Sequence, residues 1–135
     1  MTWIDDRISE REERQQNNNL IIAGAETLFT SLWEEIVSVV EEAKQKGFLL
    51  TTNGSTFEKE IRMGSAAPPA RTATLRISLK TDKHLVEVHY DRAEDIAFTL
   101  DVSKDNVVCL KKDGQQELLH DVAREILDPF LFPVP

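Results

Sequence analysis

The residues of this 135-residue chain with chemistry to offer are three histidines, one cysteine and a set of alternating charges. His89 lies in a stretch whose period-2 pattern predicts a strand. Pairing of neighbouring segments would bring Arg76, Glu87, Thr99 and Asp101 near it, and a histidine beside a carboxylate is a general base in prospect. The same juxtaposition arises on any solvated antiparallel face, and no nucleophile is specified, so an ordinary ion-paired surface is the expected state. His84 and His89 are an odd number of residues apart on one predicted strand, so they point to opposite faces and cannot share a metal ion. His120 falls among the charged positions of a predicted final helix. Cys109 reads as a small buried apolar residue. As the only cysteine, it excludes an internal disulfide and a thiolate pair. Glycine-rich phosphate loops, nucleophile elbows, paired zinc histidines and calcium loops are absent from the sequence. The expectation is no catalytic residue, no cofactor and no metal site.

Charge narrows the partners. The formal net charge is −8, which repels nucleic acid and anionic membrane surfaces; neither is an expected partner. The distribution is uneven, with net −5 over residues 1–56, +3 over 57–83 and −6 over 84–135. Within the basic middle, Arg62, Arg71 and Arg76 are the candidate contacts for an anion or an acidic partner. The competing expectation pairs such charges with carboxylates across a sheet. Residues 64–72, small and containing Pro68-Pro69, make a long hairpin loop suited to a partner contact or simply to motion.

These residues must be positioned by a few elements. Residues 20–46 predict a helix with two adjoining apolar stripes, one of Ile21, Ala25, Leu28, Leu32, Ile36, Val39 and Ala43, the other of Ile22, Phe29, Trp33 and Val40, widened by Val37. Together they sweep about half the circumference, more than one neighbour can cover. Gly47 is placed to stop this helix in the left-handed conformation, with Phe48 packing back. Residues 1–19 read as a polar helical arm, started by Thr2 and Asp5 in a capping arrangement. A bend or irregular turn is expected in the amide run at 15–19. Residues 20–135 then form a single α+β domain.

Beyond Gly47 the period changes to 2 and predicts a five-stranded antiparallel meander, after a turn-rich link at Thr51–Gly54. Glu58 is expected opposite Lys80, Arg62 opposite Arg76 and Arg76 opposite Glu87. Asp113-Gly114 would end the sheet, and an amphipathic helix would run from Gln115 until limited by Pro129. The apolar tail, Phe130 to Pro135, must dock on its own domain or on another chain.

The fold expected is thus two-layered α+β, with a long N-terminal helix, a five-stranded meander and a C-terminal amphipathic helix. The long helix must overhang so narrow a sheet. Overhang and surplus apolar perimeter predict a homodimer through Trp3, Ile8, Ile22, Trp33, Val37, Phe130 and Phe132. A non-enzymatic, dimeric protein-binding or chaperone-like adaptor is the leading expectation. The alternatives are a small-ligand carrier with a pocket lined by Phe29, Trp33, Tyr90 and Phe98, and an enzyme built around His89. In size, charge and last helix the chain is similar to the dimeric chaperones of bacterial type III secretion, but it lacks that family's helix between strands, so no residue role carries over. A lone cysteine, no leader-like segment in Met1–Arg7 and no apolar run of membrane-spanning length predict a cytoplasmic setting.

Overall fold

The computed structural model describes residues 2–64 and 72–133. Its first element, α1 (Trp3–Gln45), is one uninterrupted helix of 43 residues, about 64 Å long at 1.5 Å per residue. The expected irregularity at 15–19 is corrected. Glutamine is a good helix former and asparagine a poor one rather than a breaker, and the run sits between a capped start and an apolar stretch that packs. Thr2 Oγ1 accepts from the Asp5 N–H at 3.3 Å and the Asp5 carboxylate accepts from the Thr2 N–H at 3.4 Å, the reciprocal capping box. At the other end Gly47 takes φ +100°. The Phe48 N–H bonds the Ala43 carbonyl and the Gly47 N–H bonds that of Lys44, which closes the helix as the sequence predicts.

Among the described residues seven strands follow in chain order, every neighbouring pair antiparallel. They are β1 (Leu49–Gly54), β2 (Glu58–Gly64), β3 (Ala73–Lys80), β4 (Leu85–Tyr90), β5 (Ile96–Val102), β6 (Val108–Lys112) and β7 (Gln115–Glu117). The predicted meander is present, but two strands were not anticipated. β1 incorporates Thr51–Gly54, whose turn-forming residues are tolerated on an edge strand that pairs only with β2. β7 is three polar residues long, and Asp113-Gly114 joins it to β6 rather than ending the sheet. Both turn residues have positive φ, +53° and +80°, the two-residue hairpin geometry that Asp-Gly favours.

Register is shifted from expectation. Glu58 lies opposite Ser78, Glu60 opposite Arg76 and Arg62 opposite Thr74, while Arg76 faces His89 and Ser78 faces Glu87. The shift removes the unfavourable apposition of Arg62 and Arg76 and puts a carboxylate there instead. His84 is not on a strand at all; it takes φ +52° in the turn before β4.

The last helix, α2 (Leu119–Leu131), begins after β7 and passes through Pro129, so the proline does not limit it. Placed in the final turn, Pro129 leaves the Glu125 carbonyl without its helical N–H while the helix continues to Leu131. Both helices cover one face of the sheet. Ile21, Ala25, Phe29, Leu32, Ile36, Val40 and Ala43 of α1 join Ile61, Leu75, Val88, Phe98, Leu110, Ile126 and others in one continuous core. Full burial of such side chains stabilises by about 1.5–3 kcal/mol each. Gly24 lets α1 approach β6 closely, since a Cβ there would lie 2.6 Å from Val108 Cγ2.

Candidate functional surfaces

Two surfaces carry the candidate residues. One is the open face of the sheet, away from the helices. Glu58, Glu60 and Arg62 of β2, Arg76, Ser78 and Lys80 of β3, and Glu87 and His89 of β4 share it by alternation. Arg76 reaches Glu58 at 3.0 Å and Glu60 at 3.6 Å, and Arg62 also bonds Glu60. Hydrogen bonding from Arg62, ahead of the burial that opposes it, holds the Glu60 carboxyl below its ordinary 4.5. Arg62 and Arg76, the two candidate anion contacts that fall within the described residues, are thus engaged by carboxylates of their own sheet. Arg71 lies outside the described residues.

The constellation around His89 divides into separate pairs. Arg76 is its cross-strand neighbour. The carboxylate on its ring is Asp95, with Oδ1 2.7 Å from Nδ1, a partner that alternation did not reveal. Finding it required the hairpin register, in which Val88 faces Ile96 and position 89 therefore faces 95. Both side chains are well exposed, so water competes for every hydrogen bond and a general base here gains little from its surroundings. Glu87 faces Ser78 and Ala97 instead. Thr99 faces Lys111, and Asp101 accepts from Lys111 Nζ at 2.8 Å. That bond, against partial burial, keeps Asp101 below its ordinary 3.8 and raises Lys111.

Cys109 lies opposite Asp101, outside the core cluster yet nearly covered, and burial pushes its thiol up from 9.0. A raised thiol is a poor nucleophile at neutral pH. His120 sits 3.9 Å from Glu35 across the two helices, exposed.

The aromatic residues weighed for a carrier pocket have other duties. Phe29, Phe98 and Tyr90 are buried members of the core, and Trp33 lies at its rim with Lys59 Nζ 5.7 Å above the ring. A cavity of about 30 Å³ remains between Tyr90, Met63 and Phe130, room for about one water molecule.

The second surface is the projecting end of α1. Residues 2–16 are exposed throughout, a reach of about 20 Å. Trp3, Ile4 and Ile8 lie on it, and Ile22 is exposed where the helix meets the domain. Trp33 and Val37 are half-buried farther along. At the opposite end of the chain, Phe130 is buried in the chain's own core, while Phe132 is exposed but packs edge-to-face on Phe48 at 5.7 Å. Among the described residues the exposed large apolar residues outside α1 are Leu49, Phe57, Val107, Leu118 and Phe132; those of the arm, Trp3, Ile4 and Ile8, fall within its first two turns. Among the described residues no helix is long and apolar enough to cross a membrane.

No family model, curated protein or solved structure matches the chain.

Proposed function

We propose that the chain is a non-enzymatic protein-binding module that acts as a dimer, with the projecting half of α1 as its contact element. The observation that carries this reading is the arm itself. Trp3, Ile4 and Ile8 stand in water on a helix whose first turns make no contact with the domain. A helix that is exposed all round persists through many local pairs or through a partner; here the local support among the described residues is the Thr2–Asp5 cap and one Glu10–Arg14 pair at 3.9 Å. The open sheet face supports binding less well, because its charges are already paired with each other. A cytoplasmic setting fits the single, covered Cys109.

The test compares the full chain with a variant carrying Trp3→Ala, Ile4→Ser and Ile8→Ser as baits against lysate of the source cells. A partner retained by the full chain should be lost from the variant, while the two melt at the same temperature at dilutions where both are monomers. Retention of the same partners by both would remove the arm from the account.

A further inference from the structure

We propose that Asn53 is a site of self-modification: in the folded chain the Gly54 nitrogen closes on the Asn53 side-chain amide and leaves aspartate or isoaspartate in its place. This chemistry is independent of the arm and arises on β1. The Gly54 N–H donates to Asn53 Oδ1 at 2.8 Å, so the side chain is folded back on the next nitrogen, with Cγ one bond from the oxygen in contact. Such placement of reacting groups removes much of the barrier to an intramolecular reaction. The Ser55 N–H bonds the Glu58 carbonyl at 2.7 Å, and alternate residues of an antiparallel strand face its neighbour. Asn53 and Ser55 therefore face β2, while the Gly54 nitrogen turns away and takes no part in that ladder. Both Asn53 and Gly54 are exposed to water. No more shielding residue fits at position 54. Gly54 holds φ +153°, a region that only glycine adopts readily, and a Cβ would lie 2.5 Å from the Glu58 carbonyl oxygen and 2.8 Å from Lys59 Cα. The fold thus requires the residue that leaves this nitrogen uncrowded.

Water is the one co-reactant. The Gly54 nitrogen gives up its proton and bonds Asn53 Cγ; the bond from Cγ to the side-chain nitrogen breaks, and that nitrogen leaves with the proton as ammonia. Water then opens the cyclic imide. Addition at Cγ gives aspartate, and addition at the main-chain carbonyl of residue 53 gives isoaspartate, whose backbone runs on through the former side chain. The four other asparagines are not so placed. Asn17, Asn18 and Asn19 lie inside α1, where each following N–H bonds a carbonyl four residues back. Asn106 precedes Val107, whose branched side chain crowds the nitrogen and whose N–H bonds Ser103 Oγ at 3.3 Å. Either product puts a carboxylate opposite Glu60, into Gly47–Phe57, a run without a charged side chain. Isoaspartate also lengthens the backbone by a methylene, which sets β1 out of step with β2 beyond residue 53.

Peptide mass mapping of the full chain tests this directly. The native chain and the same chain unfolded in guanidinium chloride are held side by side in mildly alkaline buffer, then digested. The peptide carrying Asn53 should gain the mass that replaces NH by O and split into two chromatographic forms, aspartate and isoaspartate. Native conversion should run within tenfold of the unfolded rate, because the reacting groups already meet in the fold. Hydroxylamine, which cleaves the imide, should cut the native chain between Asn53 and Gly54. Asn53→Gln should show neither the gain nor the cut. A native chain that lags the unfolded one by more than tenfold overturns the proposal, since β1 would then shield the amide rather than present it. Conversion of Asn17, Asn18, Asn19 or Asn106 ahead of Asn53, or a gain that persists in this peptide of Asn53→Gln, overturns it as well.

Discussion

The Tyr90 hydroxyl donates a 2.6 Å hydrogen bond to the carbonyl of Ile126, tying the end of β4 to α2 inside the core. The acceptor lies one residue beyond Glu125, whose carbonyl Pro129 leaves without a helical N–H. The sheet thus fastens α2 beside the weakest point of its last turn. Burial raises the phenol above its ordinary 10. A group whose folded pKa exceeds its unfolded one contributes stability that is fully present below the unfolded pKa and is lost as pH rises past it.

Tyr90 is the only tyrosine in the chain, which makes the prediction easy to read. Phenolate absorbance should be missing at pH 10 and should appear at higher pH together with loss of the circular dichroism signal. Titration at the ordinary pKa with the fold intact would show that the hydroxyl is not buried beneath α2. Tyr90→Phe should lower stability by about 0.5–1.5 kcal/mol, read in a denaturant melt.

Gly24 offers a test of helix-to-sheet distance. Alanine would ordinarily stabilise a helix by up to about 1 kcal/mol relative to glycine. Here its Cβ would meet Val108 Cγ2 at 2.6 Å, and overpacking costs about 1–3 kcal/mol. Gly24→Ala should therefore destabilise the wild-type chain, yet stabilise a Val108→Ala chain in which the space has been opened. If Gly24→Ala stabilises both, α1 does not approach β6 this closely.

On the open face the Lys111–Asp101 pair gives a pH signature. Asp101 is held below 3.8, first by the Lys111 hydrogen bond and further by the Val102 N–H. Its contribution to stability is present above 3.8 and is lost as pH falls through the lower folded value. Lys111, raised above 10.5, keeps its contribution below that pH and loses it above. Carboxyl chemical shifts should place the Asp101 midpoint below 3.8 in the wild type and move it upward in Lys111→Met. An unmoved midpoint would deny the pair a role.

Much of the fold could be read from residue order because strong local signals agreed with tertiary need. Gly47 and Phe48 announced the end of α1, and strict alternation in Leu75-Arg76-Ile77-Ser78-Leu79 announced β3. The two strands that escaped notice are an edge strand rich in turn formers, Thr51–Gly54, and a three-residue polar one, Gln115–Glu117. Neither carries alternation, so each is defined by the neighbour it bonds. The amide run Gln15–Asn19 suggested a bend because the propensity of asparagine is low, and the helix carries through because nothing in the run forbids helical backbone. Register lay out of reach for a related reason: alternation identifies a face but not the partner two residues along. That is why Arg76 stands between Glu60 and His89 rather than between Arg62 and Glu87, and why alternation does not point to Asp95, the carboxylate on His89. Ile22 is legible as part of the second apolar stripe, and Trp3 and Ile8 as apolar residues on a polar arm, because such patterns along one helix need no register; all three are exposed.

The central claim is that the projecting half of α1 joins two chains. The most direct measurement is solution mass by light scattering across a dilution series, for the full chain and for Ile4→Glu/Ile8→Glu. The full chain should show twice the monomer mass, falling on dilution, while the variant stays monomeric and melts as the full chain does at dilutions where both are monomers, because neither residue touches the core. A full chain that remains monomeric at every concentration, or a variant that dimerises as well as the wild type, would contradict the account.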